Sequence, residues 1–161
     1  MKVDELTVRR AVREDLPLIM EMIAGLARHE RRPEDVTGTA EQLEHWLFDR
    51  EIATVLLGEA GGRCVAYALY YPVFGSFAAA GSVHLEDLYV LPECRGRGYG
   101  VQMMRRIAAD IVGAGYTAME WSALDWNETA IGFYRHLRAQ DETGRVYMNF
   151  DREQLEALKN R

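Results

Sequence analysis

The segment that most constrains this chain is Val90-Leu91-Pro92-Glu93-Cys94-Arg95-Gly96-Arg97-Gly98-Tyr99-Gly100. It joins a run of strand formers, Ser82 to Val90, to an amphipathic stretch, Gly98 to Val112. A strand that turns through glycines into a helix places the chain among folds that mix strands and helices. Two readings of the turn stand side by side. One is a flexible connection. The other is an anion site: glycines let a ligand approach the main chain, and helix N-terminal amides attract phosphate. Arg95 and Arg97 add donors suited to phosphate. No GK[ST] follows, so this is not a P-loop. The spacing is G-x-G-x-G rather than G-x-G-x-x-G, which argues against a dinucleotide site.

The rest of the chain is read around that unit. Thr7 to Arg10 is a first strand. Asp15 is placed to cap a helix carrying Ile19, Met22, Ile23, Leu26 and Ala27 at helical spacing. Arg28 to Gly38 is charged and contains Pro33, and reads as a loop. Thr39 and Gln42 form a capping-box pattern ahead of Leu43, Trp46 and Leu47. Thr54 to Glu59 and Cys64 to Tyr71 are strands joined by Gly61-Gly62, a hairpin signal. Gly75 to Gly81 is a loop of small residues. Val101, Met104, Ala108 and Ile111 share one face of the helix after the glycines. Gly113 and Gly115 stop it. Thr117 to Ala123 is a strand, Asn127 caps a helix through Leu137, Val146 to Phe150 is a late strand, and Asp151 opens a terminal helix. The predicted order is β-α-α-β-β-β-α-β-α-β-α, without repeat or linker, in one domain over residues 1–161.

Composition narrows the function classes. The chain has 161 residues, 48% of them hydrophobic, and a formal net charge of -6. An acidic balance disfavours a nucleic-acid partner. The first residues carry acids where a leader would need an apolar stretch, and the longest apolar run holds Pro72; neither a leader nor a membrane span is expected. Cys64 and Cys94 have no CxxC spacing and read as free thiols of a cytoplasmic protein. His29, His45, His84 and His136 lack ligand spacing, so no metal is expected.

Further segments carry a resemblance. Arg95-x-x-Gly98-x-Gly100, after Leu88-Tyr89-Val90, resembles the acetyl-CoA signature of the GNAT N-acetyltransferase superfamily. His84-Leu85-Glu86-Asp87-Leu88-Tyr89-Val90-Leu91-Pro92, Leu124-Asp125-Trp126-Asn127, Phe133-Tyr134 and Leu26-Ala27-Arg28-His29-Glu30 are similar to its diamine (spermidine/spermine) and thialysine branch.

The resemblance implies a GNAT fold, a mixed and mostly antiparallel sheet flanked by helices and splayed at Glu86 to Tyr89. It implies direct acetyl transfer from acetyl-CoA to the primary amine of a diamine, polyamine or lysine-like acceptor in a ternary complex. Backbone groups of Leu88, Tyr89 and Val90 would meet the pantetheine arm. Arg95, Gly96, Arg97, Gly98, Tyr99, Gly100 and Val101 would hold the pyrophosphate. Asn127, Glu128, Thr129 and Ala130 would contact the CoA arm. Glu86 would hold the amine and pass on its proton, because an alkylammonium is charged at neutral pH. Tyr134 would be the general acid for the thiolate. His29, Glu30 and Arg145 would touch the acceptor. Strand alternation places Glu86 with His84 and Leu88 on one face and Asp87 on the other. A homodimer is implied.

The segment Gln140 to Arg145 departs from the pattern of the polyamine enzymes. Arg145 there favours a shorter acceptor, or one whose carboxylate it would pair. Arg138 stands where many relatives have glycine. Other amines (amino-acid derivatives, antibiotics, protein N-termini) and a non-catalytic acetyl-CoA sensor remain the alternatives.

Overall fold

Five segments with apolar residues at alternate positions meet in one sheet. The computed structural model describes residues 5–160. The strands are β1 (Thr7–Arg10), β2 (Thr54–Ala60), β3 (Arg63–Gly75), β4 (Ala80–Val90) and β5 (Met119–Glu120), in the spatial order β1-β2-β3-β4-β5. Neighbours are antiparallel except β4 and β5, which run parallel and pair only at Val83–Met119 and His84–Glu120. The sheet is therefore mixed and mostly antiparallel, as expected. Gly61 and Gly62 turn β2 into β3 with φ of +59° and +78°, the mirror-image turn that matches strand twist.

The helices are α1 (Leu16–His29), α2 (Ala40–Glu44), α3 (Tyr99–Gly113), α4 (Glu128–His136) and α5 (Arg152–Lys159). The described residues form two compact units, divided between Ser122 and Ala123. The first holds the sheet with α1 to α3, and the second holds α4 and α5.

In the first unit the sheet has a core on each face. On one, Leu56, Ala68, Val83 and Leu85 pack with Met103, Ile107 and Ile111 of α3. On the other, Val55, Leu57, Tyr67 and Tyr89 pack with Ile19 and Met22 of α1. The α3 face is rotated from the predicted one. Tyr99, Met103, Ile107 and Ile111 are buried, whereas Ala108 is exposed. The Tyr99 ring enters the core at the first turn and fixes that rotation.

Local chemistry explains several boundaries. The Thr39–Gln42 box forms with both bonds, 2.9 and 3.2 Å, and α2 continues as one π-helical turn through Asp49. Asp15 does not cap α1 with its side chain. Its carboxylate accepts two bonds from Arg9, at 2.7 and 2.9 Å, and one from the Val12 amide. Three helices end in the same Schellman hydrogen-bond pair, with the residue two positions past the helix in the left-handed region. In α3 that residue is Gly115, in α1 it is Arg31 at φ +61° and in α4 it is Arg138 at φ +67°.

Two predicted strands change. Thr117 to Ala123 shrinks to the two residues of β5. Val146 to Phe150 forms no strand: Val146, Tyr147 and Met148 are exposed. The other described elements of the second unit are helices, so those strand formers have no ladder there to join.

Candidate active site

The decisive local feature is a β-bulge in β4. Leu69 pairs with Asp87 and Tyr70 with Leu85, so Glu86 is the extra residue between them. A bulge breaks the alternation of side chains. Val83 and Leu85 face the α3 core before it, and Leu88 and Val90 face the same core after it. Asp87 is thereby turned to the α1 side, where Tyr67 donates its hydroxyl proton to Asp87 Oδ2 at 2.8 Å. The expectation that Asp87 points away from Glu86 is corrected. Both carboxylates line one cavity of about 760 Å³ with Glu30.

That cavity concentrates negative charge. Burial pushes the Asp87 carboxyl up to about 6; the Tyr67 hydroxyl opposes the shift, and Glu86 and Glu30 add to it. Glu30 is also raised, first by burial, against the pull of Arg32 and with a push from Glu86. Tyr71 donates to Glu86 Oε2 at 3.1 Å. Its hydroxyl is pushed up to about 12 by burial and by Glu86, so it remains a proton donor at neutral pH. His84 stacks on Tyr71 with ring centroids 5.2 Å apart. It lies 3.5 Å from Glu86 and 3.8 Å from Glu120. Three elements assemble the cluster: Glu30 just past α1, Tyr71 on β3, and Glu86 with Asp87 on β4.

The glycine loop is the second half of the site. Gly96 and Gly98 have φ of +74° and +80°, which side-chain-bearing residues rarely adopt. A Cβ at Gly96 would meet open space. The first α3 hydrogen bond is from the Gln102 amide to the Gly98 carbonyl, 3.1 Å. A helix leaves the amides of its first turn without intrahelical acceptors. Those of Tyr99, Gly100 and Val101 are so placed, and the helix dipole makes that end favourable to anions. Arg97 is exposed on the loop. The loop's shape, charge and amides thus fit a CoA pyrophosphate. Arg95 has a different place: its Nε donates to the Val90 carbonyl at 3.0 Å, and its guanidinium lies 5.8 Å from the Tyr89 ring centroid. It ties the loop to the end of β4. The Tyr89 and Tyr99 side chains are buried in the two cores, so only their main chains are available to a ligand.

His29 lies against Tyr89, 6.5 Å between ring centroids, rather than on the acidic cavity. Burial and the Arg95 charge lower its pKa. In the second unit Asn127 caps α4, accepting from the Ala130 amide at 3.1 Å, with Glu128 and Thr129 in the same first turn. Tyr134 lies on α4 beside Phe133, 5.2 Å between centroids. Arg145 is exposed, 3.5 Å from Glu142. Sequence reasoning missed Asp87, Tyr67 and Tyr71. The spacing carried a signal for the first: the inward residues run Val83, Leu85, then Leu88, Val90, and the step of three marks an inserted residue.

Among the described residues no group of His, Cys, Asp and Glu is arranged to hold a metal, and no helix is long and apolar enough to cross a membrane.

Comparison with known proteins agrees with this geometry. The model of the acetyltransferase (GNAT) family matches residues 20–138. A thialysine N-epsilon-acetyltransferase of Mus musculus is 32% identical over 96% of this chain and 97% of its own. A spermidine/spermine N(1)-acetyltransferase-like protein of Homo sapiens is 28% identical over 94% of this chain and 23% of its own. The crystal structure of an aminoglycoside acetyltransferase from an uncultured soil metagenomic sample superposes with a TM-score of 0.78 at 17% identity, covering 91% of this chain and 97% of that one; at that identity the likeness is one of fold. Sheet, glycine loop and sequence similarity converge: the chain belongs to the acetyltransferase (GNAT) family and is an acetyl-CoA-dependent N-acetyltransferase.

Proposed function

We propose that this chain acetylates the primary amine of a small cationic acceptor, a diamine, polyamine or lysine-like amine, by direct transfer in a ternary complex. The observation that carries the reading is the convergence of Glu30, Glu86 and Asp87 on one cavity. Among the described lining residues, four carboxylates (Glu30, Asp35, Glu86 and Asp87) stand with one basic residue, Arg32, a balance that suits an ammonium, and Arg32 is already engaged with Asp35 at 2.5 Å. The similarity to a thialysine acetyltransferase supports the same class.

Acetyl-CoA supplies the activated acetyl group. The α3 amides and Arg97 hold its pyrophosphate. Glu86 orients the amine and takes its proton, a role its exposure to solvent permits because the proton can leave to water. Tyr71 steadies the Glu86 carboxylate by donating to it. Tyr134 returns a proton to the departing thiolate, a role assigned on the family pattern. The chain works as a homodimer in the cytoplasm.

The test is acetyl-CoA-dependent thiol release with putrescine, spermidine, spermine, thialysine, lysine and a short peptide. Turnover of one or more of the amines, lowered about 10²–10⁴-fold in Glu86→Gln, is the expected result. Tyr134→Phe should lose turnover while acetyl-CoA binding by calorimetry persists. Full turnover in Glu86→Gln would remove it from the role of base.

A further inference from the structure

The cavity has walls of two chemistries. Glu30, Glu86 and Asp87 feel one another's charge and form a single acidic group. Asp35 is also on the lining, but the Arg32–Asp35 pair is neutral as a unit. Elsewhere the wall is mostly apolar, with Thr37, Thr39 and Gln42 as its polar members. Val36, Trp46 and Ile52 line the same cavity while remaining 42%, 47% and 51% exposed. Exposed apolar side chains gathered in a concave site mark a ligand surface. The charge pattern sharpens this. The Arg50 guanidinium lies 5.9 Å from the Trp46 ring centroid. A second ammonium against Trp46 would lose hydration and meet that positive charge.

We propose that the favoured acceptor carries its reacting amine on an uncharged apolar body, alkyl or aryl, which lies against Val36, Trp46 and Ile52 while Glu30, Glu86 and Asp87 hold the ammonium. This rests on the reading of the cavity as the acceptor site, and among small cationic acceptors it ranks amines with one charged end above the diamines and polyamines. Skeletons with charges distributed along their length fit less well than those with one charged end. The charged end is bound by complementarity and the body by removal of apolar surface from water.

The experiment measures kcat/KM of the full chain with saturating acetyl-CoA for propylamine, butylamine, pentylamine, hexylamine, phenethylamine, 1,6-diaminohexane and spermidine. We expect a rise of roughly fourfold for each methylene added to the alkyl series. Hexylamine should exceed 1,6-diaminohexane by about tenfold, roughly the effect of one uncompensated charge in a partly dry site. Trp46→Ala should cut the hexylamine-to-propylamine ratio about fivefold or more. Ile52→Ser should cut it in the same direction, and thermal melts confirm that both variants fold. A flat alkyl series, or a diamine or spermidine that outperforms hexylamine, overturns the proposal and leaves the acceptor-site reading standing. Silence with every amine, with acetyl-CoA still bound, overturns both. If Trp46→Ala dissociates an oligomer in sedimentation velocity and leaves the chain-length slope intact, the wall is a contact between copies and the proposal falls.

Discussion

Replacing Asp87 with asparagine tests the electrostatics of the cavity. In the folded protein the Asp87 carboxyl has been pushed from 3.8 to about 6. A raised acid pKa means that the native state holds the proton more tightly than the unfolded chain does. Between about pH 4 and 6 the native state therefore binds more protons, and stability falls as pH rises through that window. Above it the ionised carboxylate is present in both states, and the penalty is constant. A shift of about two units corresponds to about 3 kcal/mol, an upper value for a group coupled to Glu86 and Glu30. Asparagine removes the ionisation and keeps an oxygen for the Tyr67 hydroxyl. Asp87→Asn should therefore be more stable than the parent by about 1–3 kcal/mol near pH 7.5 and level with it near pH 4. Urea unfolding followed by tryptophan fluorescence across that range reads the difference. A gap that does not change with pH would refute the electrostatic argument. So would a variant that is less stable at the upper end. Catalysis should move the other way, because a cationic amine gains from the charge that folding resists.

Other consequences follow from the helix ends and the core. Arg138→Gly relieves a left-handed residue at the α4 Schellman turn; it should raise stability by about 0.5–1 kcal/mol after the entropy cost of glycine, read as a higher Tm. Gly115→Ala, the opposite change at the α3 turn, should lower stability by about 1 kcal/mol in the same melt. Asn127→Ala removes the α4 cap and should cost about 1 kcal/mol of helix stability, seen as faster amide exchange in the first turn. Met103→Ala opens a cavity under the sheet and should cost about 2–5 kcal/mol in chemical denaturation.

Most of the fold was legible because its determinants are local. The Thr39–Gln42 box, the Gly61-Gly62 turn, the Asn127 cap and the glycines before α3 each act within a few residues, and each stands where the sequence places it. The misses involve partners distant in sequence. Val146 to Phe150 has strand composition but no neighbouring strand in its unit. The α3 face was misplaced because its rotation is set by the Tyr99 ring and the strands beneath it. Asp15 looked like a cap, yet Arg9 lies close enough to claim its carboxylate. At the candidate site, the resemblance singled out Glu30 and Glu86, and both line the cavity. Asp87 was missed, because one bulge reverses the parity of every residue beyond it. Trp46 was read with Leu43 and Leu47 as the apolar face of a helix, since a periodic apolar pattern does not distinguish a packed face from a cavity wall.

The bulge at Glu86 separates two sets of instructions carried by one strand. If that residue is skipped, β4 reads as an unbroken two-step rhythm, with Val83, Leu85, Leu88 and Val90 all turned to the same core. The code for packing is complete without the glutamate. What the extra residue adds is a side chain outside the count, free to vary in length or charge while the ladder on either side keeps time. Chemistry at this position can change without renegotiating the fold, and the fold can drift without displacing the chemistry.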